Sequence, residues 1–227
     1  MTKVIFDIET IGKDFEQLDE VSREYLEKSF ERYLKTEEEI EEAKDQLSFS
    51  PLTGEIVAVA MINQETSGGV VYFQAPNKKI EEFEENGVRF IPGDEREILS
   101  NFWRDIKNFR QFITFNGRTF DCPYLMIRSA VNKVRPTKNL MPYRYASEEH
   151  VDLFDQLTFY GAVRRKFNLH MWCKAFDVKS PKEEGISGED VKQLFKEEKY
   201  AEIARYCLGD VFATKELYQY WEKYLKF

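Results

Sequence analysis

An apolar run leading directly into two carboxylates, Val4-Ile5-Phe6-Asp7-Ile8-Glu9-Thr10, constrains this chain more than any other feature. β-Branched and aromatic residues at 3–7 predict a short buried strand. Alternation along a strand sends Asp7 and Glu9 out of the same face. Two more acidic motifs follow, each joined to an element that can aim it. Asn116-Gly117-Arg118-Thr119-Phe120-Asp121-Cys122-Pro123 comes after the apolar run 112–115 and opens a helical pattern. Tyr206-Cys207-Leu208-Gly209-Asp210 lies inside a strong helical pattern near the C-terminus, where Tyr206 and Asp210 share a face one turn apart.

Carboxylates delivered from a strand, a strand-to-helix junction and a helix suit a pair of hard divalent cations, which take oxygen ligands. Two such ions roughly 3.5–4 Å apart can activate water, bear charge on a pentavalent phosphorus and assist the leaving oxygen. Tyr206, beside Asp210, is placed to orient or help deprotonate the attacking water. Each motif alone has a plainer reading. Asp-x-Glu is common at strand ends, Asn116-Gly117 is also a turn signal, Asp121 can cap a helix, and Tyr206 can be a core aromatic. Their joint occurrence, in this order, points to a nuclease site.

The net charge of −8 argues against a nucleic-acid partner only until it is located. Residues 14–45 carry thirteen acids and five bases, so this segment holds the entire excess and the rest has 28 of each sign. A near-neutral body with local basic clusters binds phosphates, because local field outweighs total charge. Candidate clusters are Lys133, Arg135, Lys138 and Arg144, and then Arg164, Arg165 and Lys166; the alternative for each is solvated surface. No apolar run approaches the roughly 20 residues of a membrane span, and no signal peptide is visible. Cys122, Cys173 and Cys207 form no C-x-x-C pair, which predicts no structural zinc site and a reduced, cytoplasmic setting.

With 227 residues, one substantial domain is expected, spanning 1–227 with an appendage at about 14–47. In that appendage Leu18, Tyr25, Tyr33, Ile40 and Leu47 recur at seven- or eight-residue steps, predicting one amphipathic helix or two that break near Lys35-Thr36. Strands are expected at 55–63 and 70–74, joined through Gly68-Gly69. A helix starting at Pro92-Gly93-Asp94 carries the stripe Ile98, Leu99, Phe102 and Ile106. A strand at 112–115, a helix at about 120–131, a short strand at His150-Val151-Asp152-Leu153 and a helical C-terminal third complete the order. Strand, hairpin, helix, strand, helix, strand, helix is the order of an α/β ribonuclease-H-like fold, with a mixed sheet of about five strands and helices on both faces.

These motifs resemble the DEDD superfamily of 3′→5′ exonucleases. Within it they resemble the tyrosine-type branch, which includes the editing domains of family B DNA polymerases, and most of all its stand-alone, polymerase-free members. The resemblance runs over about residues 3–221, apart from 14–47. Tyr206 marks the branch, since histidine-type relatives place a histidine five residues before the last aspartate, where this chain has Arg205. The resemblance implies a metal-dependent 3′→5′ exonuclease releasing nucleoside 5′-monophosphates from single-stranded ends, DNA rather than RNA, with Mg²⁺ or Mn²⁺. It implies that Asp7 bridges both ions, that Glu9 and Asp210 hold the water-activating ion, that Asp121 anchors the other, and that Tyr206 positions the water. Thr10, Asn116 and Phe120 would contact the terminal nucleotides, with Phe120 equally readable as a core residue. Asp152 would support the ligands from behind. A non-catalytic nucleic-acid-binding adaptor that docks a partner through 14–47 is one alternative, and a ribonuclease-H-like endonuclease is another, against which Tyr206 counts.

Overall fold

The structure is a computed structural model that describes residues 2–34, 36–180 and 188–226. Its centre is β1 (Lys3–Gly12), longer than the expected strand because Ile8 and Ile11 continue the buried pattern past the two acids. β1 pairs antiparallel with β2 (Gly54–Asn63), which pairs antiparallel with β3 (Gly69–Gln74). On its other side β1 runs parallel to β6 (Gln111–Thr114), which runs parallel to β7 (His150–Asp152).

The sheet has seven strands rather than five. The additions are β4 (Phe83–Glu85) and β5 (Val88–Gly93), a hairpin whose second strand joins β3 in parallel. Asn86 and Gly87 both have positive φ, at 51° and 80°, the conformation that an Asn-Gly two-residue hairpin turn requires.

Alternation along the strands builds two cores. Val4, Phe6 and Ile8 pack with Val59 and Met61 against α3 (Glu95–Ile106) and α4 (Asp121–Val131). α3 begins with a capping box between Asp94 and Glu97 and buries the predicted stripe Ile98, Leu99, Phe102 and Ile106. A buried ion pair clamps α3 to α4: Arg128 donates to both Glu95 oxygens at 2.8 and 2.6 Å. Glu95 also accepts the Ile56 N–H at 2.9 Å, tying this pair to the sheet.

The other face, carrying Ile5, Ala58, Ala60 and Val71, is covered by α5 (Leu153–Leu157), α6 (Leu169–Ala175), α7 (Val191–Lys196) and the long α8 (Tyr200–Tyr224). Because Asp7 and Glu9 alternate with Ile8, they leave β1 on this second face, under α8.

The acidic segment folds as α1 (Glu20–Tyr33) and α2 (Glu37–Asp45). Leu34 is extended and Thr36 caps α2 with a capping box, so the break falls where expected, although Lys35 lies outside the described residues. The predicted single stripe does not hold, since Tyr25 is 74% exposed while Phe15 is buried and rests 6.3 Å from the Phe30 ring. Leu18 is extended and lies outside α1, so a repeat counted from it does not mark one face of the helix that carries Tyr25. A 3₁₀ turn at Gln46–Phe49 seats the end of the segment on β1, and the Thr10 hydroxyl donates to Ser48 O at 3.0 Å. A Cβ on Gly12 would lie 2.8 Å from Ser48 N, so only glycine permits this approach.

Candidate active site

Asp7 and Glu9 face Ala60 and Ala58 of β2, whose small side chains leave room beside the carboxylates. The register shifts just after Glu9, which marks the end of the acidic stretch. Both acids are half-buried at the floor of a cleft.

Asp121 arrives by a tight turn. Asn116 adopts φ 61°, and a Cβ on Gly117 would lie 2.5 Å from the Thr114 side chain. The Asp152 carboxylate fastens this turn by accepting the N–H groups of Asn116 at 2.9 Å and Arg118 at 2.8 Å. Asp121 is thereby the first residue of α4, with Oδ1 accepting the Ile8 N–H at 3.1 Å. That bond runs to the backbone between Asp7 and Glu9, so two of the predicted motifs are directly joined.

α8 supplies the third. Tyr206 is buried and its hydroxyl is hydrogen-bonded to Asp210. Cys207 Sγ donates to Asp7 O at 3.5 Å, and the thiol and the Asp7 and Glu9 carboxylates all lie within 4.8 Å of one another.

Electrostatics shows that the four acids form one cluster. Burial, and then the charges of Asp121, Asp210 and Glu9, push the Asp7 pKa well above the ordinary carboxylate range. Burial followed by Asp210 and Asp121 does the same to Glu9. Burial raises Asp121 to about 7, with Asp152 and Asp210 adding to the effect and two backbone N–H groups opposing it. Burial and the charges of Asp210, Glu9 and Asp7 raise Tyr206, so its phenol keeps its proton and donates.

A set of buried carboxylates that repel one another fits bound cations, which would remove the repulsion. The donors are oxygens suited to hard metals, since the buried Cys207 thiol, its own pKa raised by burial, spends its hydrogen on a backbone carbonyl.

The other expected contacts are divided. Phe120 packs partly into the core, 5.3 Å from the Tyr124 ring, and also meets the exposed Phe49 at 6.2 Å. The Asn116 side chain accepts from Thr119 Oγ1 at 2.8 Å. Thr10 lines a wider cleft walled by Gln46, Ser48 and Phe49 on one side and by Lys192 and Lys196 of α7 on the other. A smaller cleft of about 150 Å³ joins Asp7, Tyr206 and Asp210 to Phe115, Asn168 and His170. His170 and Cys207 were absent from the expected site. His170 arrives through long-range packing with no local motif to flag it, whereas Cys207 lies inside the third motif, next to Tyr206, on the part of α8 that turns to Asp7.

Residues 53–225 match a family described as a predicted 3′-5′ exonuclease related to the exonuclease domain of PolB. The chain belongs to that family. This 3′-5′ exonuclease family acts on nucleic acid, and the matched span includes Asp121, Tyr206 and Asp210 while Asp7 and Glu9 precede it. No curated protein matches the chain. Among solved structures it is similar to the family B DNA polymerase from the hyperthermophilic archaeon Pyrobaculum calidifontis, with 18% identity and a TM-score of 0.62. The superposition covers 98% of this chain and 24% of the polymerase, so the exonuclease spans about a quarter of that protein's length. The likeness establishes a shared fold, that of the polymerase's exonuclease domain, in keeping with the ribonuclease-H-like architecture. Among the described residues, no helix is long and apolar enough to cross a membrane.

Proposed function

We propose that the chain removes nucleoside 5′-monophosphates from single-stranded 3′ ends, DNA in preference to RNA, with two Mg²⁺ or Mn²⁺ ions. The observation that carries this reading is the convergence of Asp7, Glu9, Asp121 and Asp210 beside the Tyr206 hydroxyl, in one electrostatically coupled cluster. The four carboxylates would hold the ions, which when bound supply an activated water and charge neutralisation at phosphorus.

Tyr206, held protonated and donating its one hydrogen to Asp210, would orient the nucleophilic water by accepting a hydrogen bond from it at the phenol oxygen. His170, in the same cleft, carries a ring nitrogen in reach of Ser180 Oγ at 2.8 Å and offers its other nitrogen as a phosphate contact. Single-strand preference is supported by the cleft beside Thr10, whose two walls of turn and helix leave a slot suited to one strand.

The test is digestion of end-labelled single-stranded DNA, single-stranded RNA and duplex in parallel, with wild type against Asp7→Asn. Wild type no faster than the variant sinks the catalytic reading. Cleavage of a circular single strand would establish an endonuclease instead.

The segment at 14–47 has a second reading, as a dock for a partner protein. Val21 and Tyr25, one turn apart on α1, are 77% and 74% exposed on an acidic helix. Loss of a copurifying partner on Val21→Glu and Tyr25→Glu would support it, and unchanged composition would remove it.

A further inference from the structure

We propose that the surface formed by residues 141–147 and 159–166 is a second contact for single-stranded nucleic acid, a stacking platform that holds the strand upstream of the active site. The proposal rests on the exonuclease reading for its direction but on separate residues for its chemistry.

Charge is segregated towards this surface. No acid occurs in residues 122–147 or 156–176, with the exposed Glu148 and Glu149 bordering the first stretch, whereas the chain as a whole carries −8. Arg164, Arg165 and Lys166 are all exposed. Aromatic rings are interleaved with these bases. Tyr143, Tyr145 and Phe159 are 73%, 59% and 55% exposed, large rings left in water without an apolar cover. Tyr145 lies 4.8 Å from Tyr160 and 5.6 Å from Tyr143, so the rings form a connected row.

The row is held rigidly. Arg144 forks onto Asp155 of α5, and Arg118 donates to Pro142 O at 2.8 Å, pinning the first loop from both sides. In the second loop, Phe159 and Tyr160 both adopt left-handed backbone, at φ 49° and 56°, which bulky residues avoid. The Tyr160 N–H bond to Asp155 O at 2.7 Å and the Gln156 bond to the Tyr160 hydroxyl at 2.8 Å maintain it. Left-handed residues also follow α4, α6 and α7, at Lys133, Asp177 and Glu198, so this is how the helix ends, and it fixes the loop that carries the exposed Phe159 ring.

The platform is joined to the active site along the chain. Arg118 belongs to the turn that delivers Asp121, and the basic run 164–166 leads within two residues to Asn168, which lines the cleft with Asp7 and Asp210. Exposed rings beside exposed cations are the means by which proteins hold single strands without reading sequence. Lys138 is not part of this set, since its ammonium is committed to Phe109 O at 2.7 Å.

The test compares wild type with the double variant Tyr143→Ala, Tyr145→Ala, both exposed positions. First, binding of a fluorescein-labelled 20-nucleotide single strand is followed by anisotropy in EDTA, where chemistry does not contribute. The variant is expected to bind at least about fivefold more weakly, the low end for one base–aromatic stack, and Tyr145→Trp should retain wild-type affinity. Equal affinity overturns the proposal, as does competition by polyglutamate equal to that of the oligonucleotide. Second, kcat/KM is measured on a trinucleotide and on the 20-mer. The variant should lose the wild-type preference for the longer substrate while its trinucleotide rate is unchanged, and a retained preference overturns the proposal. A wild type that binds with this tyrosine dependence but digests nothing would refute the exonuclease reading and leave the platform standing.

Discussion

Replacing Asp121 by asparagine should make the metal-free protein more stable while removing its activity. Asp121 is buried, and its pKa rises from the usual 3.8 to about 7 through burial and the neighbouring carboxylates. At 1.36 kcal/mol per pH unit, ionising it at pH 8 in the folded, metal-free chain costs about 4 kcal/mol. Proton sharing among the coupled acids reduces what one substitution recovers to about 1–2 kcal/mol. Asparagine removes the charge but keeps an oxygen to accept the Ile8 N–H.

The sign follows from proton counting. Between pH 3.8 and about 7 the folded chain binds the proton that the unfolded chain has released, so wild-type stability falls as pH rises through this window. The variant lacks that loss. Thermal melts in EDTA should therefore show Asp121→Asn higher in Tm by about 2–8 °C at pH 8 for a chain of this size, and by much less at pH 4.5. Millimolar Mg²⁺ or Mn²⁺ should raise the wild-type Tm at pH 8 and raise that of the variant by less, since Asp7, Glu9 and Asp210 remain as candidate ligands for one ion. A variant less stable at pH 8, or a gain equal at both pH values, would refute the idea of an electrostatically strained site.

Tyr206→Phe should lower kcat about 10²-fold with KM little changed, measured by single-turnover digestion, because the phenol's hydrogen bonds to the water and to Asp210 are lost while the ring stays. Arg128→Ala should destabilise by about 3–5 kcal/mol in urea unfolding, since Glu95 is left buried with its charge unmatched. Gly117→Ala should cut activity at least about tenfold with a smaller effect on Tm, because a misplacement of the catalytic group by about 1 Å is enough; an unchanged rate would show that the turn tolerates the Cβ.

The elements that carry their own pattern were legible from the chain alone. β1, the β2–β3 hairpin, α3 with its stripe and cap, the β6-to-α4 junction and α8 lie within a few residues of expectation. The three acidic motifs come together because each sits on an element whose direction its own sequence specifies. The β4–β5 hairpin escaped notice although Asn86-Gly87 announces it, because the flanking strands are short and hold four glutamates at 81–85, two of them on β4 itself. Tyr25 was misassigned because a helical repeat loses meaning across a break. His170 was invisible for a different reason: it reaches the site through the packing of α6 onto the sheet, which sequence spacing does not record, whereas Cys207 stands within the third motif and only its contact with Asp7 O is new.

Arg205 deserves a final consequence. Its guanidinium forks onto Glu85 at 2.7 and 3.0 Å and lies 5.6 Å from the Phe83 ring, facing the β4–β5 hairpin and not the acids. One residue along a helix is a rotation of about 100°. A histidine at this position in this backbone would look onto the sheet edge while Tyr206 looks onto the cleft. In this chain, bringing position 205 to the acids in place of Tyr206 would require α8 to turn on its axis and the β4–β5 hairpin to give up its anchor. The hairpin in this way locks the helix's angular setting, and Tyr206→Phe combined with Arg205→His should remain as slow as Tyr206→Phe alone.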